Sequence, residues 1–184
     1  MRGNRRAALV LLAAGVAGLA GLACRDSELP PTTISAADSA DQTFFGMTTS
    51  VTVNGVRRVQ LHADTAYYFE NRQVADLHGV HVTFFGPEGE QTSSLTADSG
   101  TYNSRTGDME AIGNVVGVTP DGRRLTTSVL DYSRSTDRVS GPASFVFVTP
   151  DQHLEGDGFT ADPDFRNVET KKPRGNLGRV ELKQ

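Results

Sequence analysis

The four histidines are the residues whose chemistry would first suggest a metal or acid–base site. They are His62, His78, His81 and His153, and only two of them are close in sequence. His78 and His81 are three residues apart, and an odd spacing within a strand places two side chains on opposite faces. Their imidazoles would therefore not converge on one metal ion, and we interpret these histidines as solvent-facing strand residues.

Two aspartates occupy equivalent places in a repeated pattern, which could indicate calcium binding or paired-carboxylate catalysis. Asp64 and Asp98 each follow a Leu-x-Ala segment and precede a bend. An aspartate there can accept hydrogen bonds from turn amides, so a structural role is the favoured interpretation. The chain also lacks a supported Ser-His-Asp pattern, a phosphate-binding glycine loop and a cysteine nucleophile. We therefore predict a protein that is not an enzyme and has no cofactor or metal.

Cys24 is the only cysteine, and it directly follows a segment typical of a targeting signal. Residues 1–23 begin with three arginines, continue as an apolar stretch and end in small or apolar residues. The apolar stretch is shorter than the roughly 20 residues of a membrane span. The arrangement resembles the lipobox of bacterial lipoproteins, which predicts a signal peptide over residues 1–23 and lipidation of Cys24. An ordinary cleaved signal peptide is the alternative.

Composition divides the rest of the chain into a tether, a domain and a tail. Residues 24–43 contain a Pro-Pro pair, several hydroxyl residues and aspartates, which predicts a flexible tether. Residues 44–170 carry persistent apolar alternation and form the predicted domain, and residues 171–184 form a basic tail. The net charge of −4 does not suit nucleic acid, where Lys and Arg must neutralise phosphates.

One pattern of strand and turn residues recurs along the domain, with a period of 29 to 34 residues. Each copy reads as strand, bend, strand and turn, and a single copy cannot bury its apolar face without its neighbours. The pattern therefore predicts an all-β architecture built from repeated antiparallel strand modules. Turns are predicted at Asn54-Gly55, 86–89, 120–122 and Gly141-Pro142. The four copies begin at Leu61, Leu95, Leu125 and Leu154.

The aromatic and aliphatic strand residues offer the strongest candidate for a binding surface. They could fill an ordinary core, or they could line a groove if the β structure stays open on one side. Burial is worth about 0.8 kcal/mol per methylene, so acyl chains rather than charge would decide binding to such a groove. The candidate lining residues are Val82, Phe84, Leu95, Phe145 and Phe147.

Four runs of sequence resemble the repeats of the LptC family, the periplasmic component of the lipopolysaccharide export ABC transporter. The resemblance covers about residues 44–168 and implies a twisted β-jellyroll, open like a V, whose interior holds the acyl chains of lipopolysaccharide. It implies a conduit that receives this lipid from the inner-membrane ABC transporter and passes it to an LptA-like bridge protein. The runs are Leu95-Thr-Ala-Asp-Ser-Gly-Thr-Tyr, Gly113-Asn-Val-Val, Asp121-Gly-Arg-Arg-Leu-Thr-Thr and Asp151-Gln-His-Leu-Glu-Gly-Asp-Gly-Phe.

An open jellyroll has unpaired backbone groups on its edge strands, which are templates for partner strands. By the resemblance, the edge near Val51 and Val53 would meet the transporter, and the edge near Leu154 and Phe159 would meet the bridge protein. Family members known from enteric bacteria carry a transmembrane helix, whereas this chain is expected to be lipid-anchored at the periplasmic face of the inner membrane. A lipid-anchored LptA-like bridge component or a non-transporting β scaffold lipoprotein is the alternative.

Overall fold

A computed structural model describes residues 36–170 and 173–176 of the 184-residue chain. The predicted signal peptide, Cys24 and most of the predicted tether lie outside these described residues. Among the helices of the described part, none is long and apolar enough to cross a membrane. The elements are a short helix α1 (Ala36–Ser39) and nine strands: β1 (Gln42–Val53), β2 (Val56–Phe69), β3 (Val74–Phe85), β4 (Gln91–Asn103), β5 (Met109–Val118), β6 (Arg124–Ser133), β7 (Arg138–Val148), β8 (His153–Ala161) and β9 (Arg174–Asn176).

The nine strands form one antiparallel sheet in which every strand pairs with the next along the chain. The strand order runs from β1 to β9 without returning to β1, so the sheet does not close into a barrel. This confirms the predicted all-β fold built from repeated antiparallel modules. Its last strand, β9, comes from the predicted basic tail, and residues 177–184 of that tail lie outside the described part.

Three of the four predicted turns connect strands. Asn54 and Gly55 have φ values of 51° and 81°, and a tight β1–β2 hairpin needs positive φ at both central positions. The turns at 86–89 and 120–122 connect β3 to β4 and β5 to β6. The turn predicted at Gly141-Pro142 is wrong, because both residues lie inside β7, where the pairing with β8 is irregular. A proline is tolerated inside a sheet at such an irregularity.

The sequence repeat corresponds to one straight row of residues across the sheet. Leu61 pairs with Val82, and Val82 pairs with Leu95 on the following strand. The row continues through Gly117 and Leu125 to the last two long strands. A repeat of about 30 residues thus places a leucine on this row at every second strand. The complete row is Leu61, Val82, Leu95, Gly117, Leu125, Phe147 and Leu154.

A crease crosses the middle of the long strands. On β2 and β3, Asp64 lies opposite Gly79, and Gly79 has a φ of 63°. On β4 and β5 the register shifts beside Asp98, opposite Gly113 with a φ of 78°. A side chain on either glycine would collide with the facing aspartate. Because the irregular backbone at the crease changes which alternate residues point inward, the apolar face stays on one side of the sheet on both sides of the crease.

The crease divides the sheet into two layers that pack face to face. Layer 1 is the part of β1–β8 that carries the leucine row, and layer 2 is the part beyond the crease. The ring of Phe84 in layer 1 lies 5.3 Å from the ring of Tyr132 in layer 2, although β3 and β6 are not neighbours in the sheet. The core therefore lies between the layers. The crease is at one end of the core, and we call the opposite end, near Phe84 and Tyr132, the mouth.

Candidate functional site

The five predicted lining residues all belong to layer 1 and all point into the space between the layers. Each is at most 6% exposed. Val82, Leu95 and Phe147 lie on the leucine row. Phe84 is two residues further along β3 towards the mouth, and Phe145 is two residues from the row on β7, towards the crease. The structure thus brings the five residues onto one apolar face and buries them within a continuous core.

The leucine row gives this interior a direction. It crosses seven strands, from β2 to β8, and adjacent strands are about 4.8 Å apart, so its length is about 29 Å. Apart from Gly117, every residue on it has an aliphatic or aromatic side chain. The row is therefore an apolar strip inside the core that runs from near one sheet edge towards the other, at right angles to the strands.

The mouth between the two layers is held by a small polar network that sequence reasoning did not identify. Arg58 on β2 donates to Asp137 at 3.0 Å, and Asp137 lies in the turn between β6 and β7. Arg58 also donates to the carbonyl of Phe85 at 2.9 Å, and the hydroxyl of Tyr132 donates to Asp137 at 3.0 Å. These contacts join the outer ends of layer 1 and layer 2. Arg58 and Asp137 are 79 residues apart, so no local sequence signal links them.

Tyr132 should make the fold sensitive to alkali. Burial, and then the nearby carboxylate of Asp137, raise the pKa of Tyr132 above its ordinary value of 10.0. Above pH 10, Tyr132 in the unfolded chain releases its phenol proton, whereas in the folded chain it keeps the proton. The free energy of unfolding therefore falls as the pH rises. The contribution of Tyr132 is complete below pH 10 and is lost above it.

Denaturant unfolding of Tyr132→Phe at neutral pH and near pH 10.5 checks this. The variant should lose about 1 kcal/mol at neutral pH with its hydrogen bond, and should then decline less than the parent in alkali. Tyr67→Phe is the matched control, since Tyr67 packs against His78 on the outer face. If the free energy of unfolding of Tyr132→Phe and of the parent fell equally between the two pH values, Tyr132 would not be the source of the sensitivity to alkali.

Phe165 closes the interior from the end of β8. It is fully buried and adopts a positive φ of 54° in the loop after β8. A side chain on Gly117, in the leucine row of layer 1, would collide with the Phe165 ring. In the same loop Asp162 accepts from Arg138 at 2.7 Å, and the carbonyl of Pro163 accepts from the hydroxyl of Ser93. In the sequence, the only sign that Phe165 closes the interior is that it is the single aromatic residue of an otherwise polar loop.

Asp98 and His62, two residues considered for a metal or catalytic site, have structural partners on neighbouring strands. Asp98 accepts from the side-chain amide of Asn114 on the next strand at 2.7 Å, so its partner is not the turn amide that the sequence suggested. The reason is that Asp98 lies within β4, at the crease, and not at a strand end. His62 lies directly opposite His81, a pairing the sequence analysis missed, and it contacts Thr48 at 3.1 Å. The described residues contain no group of three or more side chains arranged to hold a metal.

The two sheet edges differ. On β1, Val51 points into the core, whereas Val53 is exposed, and the aromatic ring of Phe45 is 82% exposed near the strand's start. Within the described part of the chain, no strand pairs with the outer side of β1. At the other end, β8 is not the free edge that the sequence predicts, because β9 pairs with residues 153–155 and Glu169 pairs with Thr160. Phe159 is buried and Leu154 is partly buried against the core, so both face inward.

Comparisons with known proteins place this geometry in context. The family model described as "Lipopolysaccharide-assembly, LptC-related" matches residues 8–172. No individual curated protein matches the chain in sequence. Among solved structures, the chain is similar to LptH, the LptA-homologous periplasmic component of the lipopolysaccharide transport device from Pseudomonas aeruginosa. The TM-score is 0.50 at 16% identity, over 67% of this chain and 89% of that chain, which supports the jellyroll fold.

Proposed function

Since this chain belongs to the LptC-related family of lipopolysaccharide-assembly proteins, we propose that it is a periplasmic conduit for lipopolysaccharide. It receives the lipid from an inner-membrane ABC transporter, holds the acyl chains between its two layers and passes them to an LptA-like bridge protein. It acts by binding and transfer, without catalysis. The observation that carries the proposal is the apolar row that crosses the sheet from β2 to β8.

Acyl chains can reach the five lining residues only when the layers separate at the mouth. Opening the mouth breaks the contact between Arg58 and Asp137 and moves Phe165 away from Gly117. Moving one methylene of an acyl chain from water into the opened interior contributes about 0.8 kcal/mol of binding free energy. Moving the same methylene from a bilayer contributes almost nothing, because both environments are apolar. Loading from a membrane is therefore close to neutral, and its direction has to come from the transporter.

The two sheet edges and the anchor complete the proposal. The edge strand β1, which carries exposed Phe44 and Phe45, pairs with a strand of the transporter, and β8 pairs with the bridge protein in place of β9. Aligned edges would make the apolar rows of successive proteins continuous. Lipidation at Cys24 and the tether that precedes β1 keep the domain near the inner membrane, where the lipid is loaded.

Mass spectrometry of the protein purified without detergent tests this function. We expect lipopolysaccharide to copurify and to be displaced when Phe147 is replaced by a charged residue in a variant that still folds. The control is Val148→Asp, an equivalent change on the exposed outer face of the same strand. A purified protein that neither carries lipopolysaccharide nor takes it up when it is added would favour the non-transporting scaffold. Lipid binding combined with failure to capture the transporter would favour the bridge component.

A further inference from the structure

The outer edge of β8 is covered by the chain's own C-terminal residues. β9 pairs antiparallel with the first three residues of β8. Further along, the N–H of Thr160 donates to Glu169 at 3.0 Å, and the N–H of Glu169 donates back at 2.8 Å. Between these contacts, the hydroxyl of Thr170 donates to the carbonyl of Gly158 at 2.8 Å. We call residues 169–170 and 173–176 the cap.

The other end of the sheet presents a strand that could take the place of the cap. β1 is 12 residues long and contains neither the proline nor the lysine that commonly blocks an edge. It has no strand on its outer side within the described part of the chain. If the β8 edge were also free, β1 of one copy could pair with β8 of the next. Such a head-to-tail contact does not close on itself, so it would propagate into chains.

We propose that the cap is a removable intramolecular block, which keeps the β8 edge of one copy from pairing with the β1 edge of a second copy. The protein thereby stays monomeric until a strand that binds β8 more strongly displaces the cap. This inference goes beyond the proposed function, because it requires neither lipid nor a transporter.

The cap is held more weakly than the loop that precedes it. That loop is fixed by buried Phe165 and by the contact of Asp162 with Arg138. In its described residues, the cap has the three residue pairs of β9, the bridge at Glu169 and the Thr170 hydrogen bond. The ion pair of Arg174 with Asp157 joins exposed side chains, where such pairs contribute little. The cap can therefore leave β8 while Phe165 stays in the core.

Two variants release the cap in different ways. Truncation after Val168 removes it and keeps Phe165. Gly175→Val keeps the full chain but displaces β9, because a side chain there would collide with the carbonyl of His153, and Gly175 has a φ of 123°. The matched control is Gly122→Val, which places the same residue at a positive-φ glycine with open space around it. Sedimentation velocity of the full chain and its variants in detergent micelles, without added lipid, reports their association.

We expect the parent and Gly122→Val to be monomeric, and both cap variants to associate, with an apparent affinity at least about tenfold higher than the parent's. Adding Thr48→Lys and Ser50→Lys on the outer face of β1 should return the truncated chain to a monomer, since edge charges block pairing. Cap variants that stay monomeric, or association that survives the β1 lysines, would overturn the inference. If truncation disturbs folding, the association measured for Gly175→Val decides whether the inference stands. Because the readout contains no lipid, failure of the conduit proposal would leave this result unaffected.

Discussion

Replacing Phe165 with alanine is expected to lower the free energy of unfolding by about 3–5 kcal/mol. The Phe165 ring is fully buried against the leucine row of layer 1, yet the residue belongs to the loop after layer 2. Removing the ring therefore leaves a cavity between the layers that strand pairing cannot fill. The backbone at residue 165 keeps its positive φ, so Phe165→Gly should recover about 1 kcal/mol of the loss.

Denaturant unfolding measures this loss, and Phe45→Ala provides the matched control. Phe45 is 82% exposed, so its truncation should change the free energy of unfolding by no more than about 0.5 kcal/mol. The cavity left by Phe165→Ala should also increase binding of an apolar fluorescent dye to the folded protein. A loss below about 1 kcal/mol, without added dye binding, would mean that the loop does not seal the interior.

Replacing Cys24 with alanine is expected to move the protein from the membrane to the soluble periplasmic fraction. The proposed anchor carries several acyl chains, each methylene of which contributes about 0.8 kcal/mol of membrane affinity, and two or more chains hold a protein stably. The acidic chain supplies no strong attraction to an anionic membrane surface in its place. Fractionation and intact-mass measurement of the parent and variant check this prediction.

The mass measurement separates the two ways in which this anchor prediction could fail. A parent whose mature chain begins at Cys24 with added acyl mass agrees with lipidation. Ser27→Ala, a small change in the same segment, should leave both mass class and location unaltered. A parent that begins at another residue would argue against lipidation, and a Cys24→Ala variant that stays in the membrane with residues 1–23 attached would indicate an anchor of another kind.

Much of the fold is predictable because it follows from two periods that can be found in the sequence, the alternation of residues within each strand and the repeat of about 30 residues. Alternation within strands identifies the inward residues, and the repeat of about 30 residues places Leu61, Leu95, Leu125 and Leu154 on one row. The Asn54-Gly55 pair is equally local, since only a positive φ at both positions closes that hairpin tightly. Pairing each strand with the next in sequence then determines the sheet without further information.

The crease was misinterpreted because it interrupts alternation without ending a strand. Asp98-Ser99-Gly100 and Gly141-Pro142 contain residues typical of turns, yet β4 and β7 continue through them, because the strand pairing is irregular at these positions and resumes on either side. The mouth contacts could not be predicted either. Arg58 and Asp137 meet only because the sheet folds at the crease, and Phe165 sits in a loop without periodicity. The strand of the cap, β9, has three residues and lies in a basic tail, so it is too short to produce a pattern.

Site-specific photo-crosslinking tests the central claim that acyl chains bind between the layers. A photo-reactive phenylalanine analogue at Phe84 or Phe147 keeps an aromatic ring inside the core, whereas the same analogue at His81 or Thr83 points to the outer face of β3. With lipopolysaccharide loaded by the cell, we predict lipid adducts from the two inward positions and few or none from the two outward ones. Equal capture from both faces, or capture from the outward positions alone, would contradict the account.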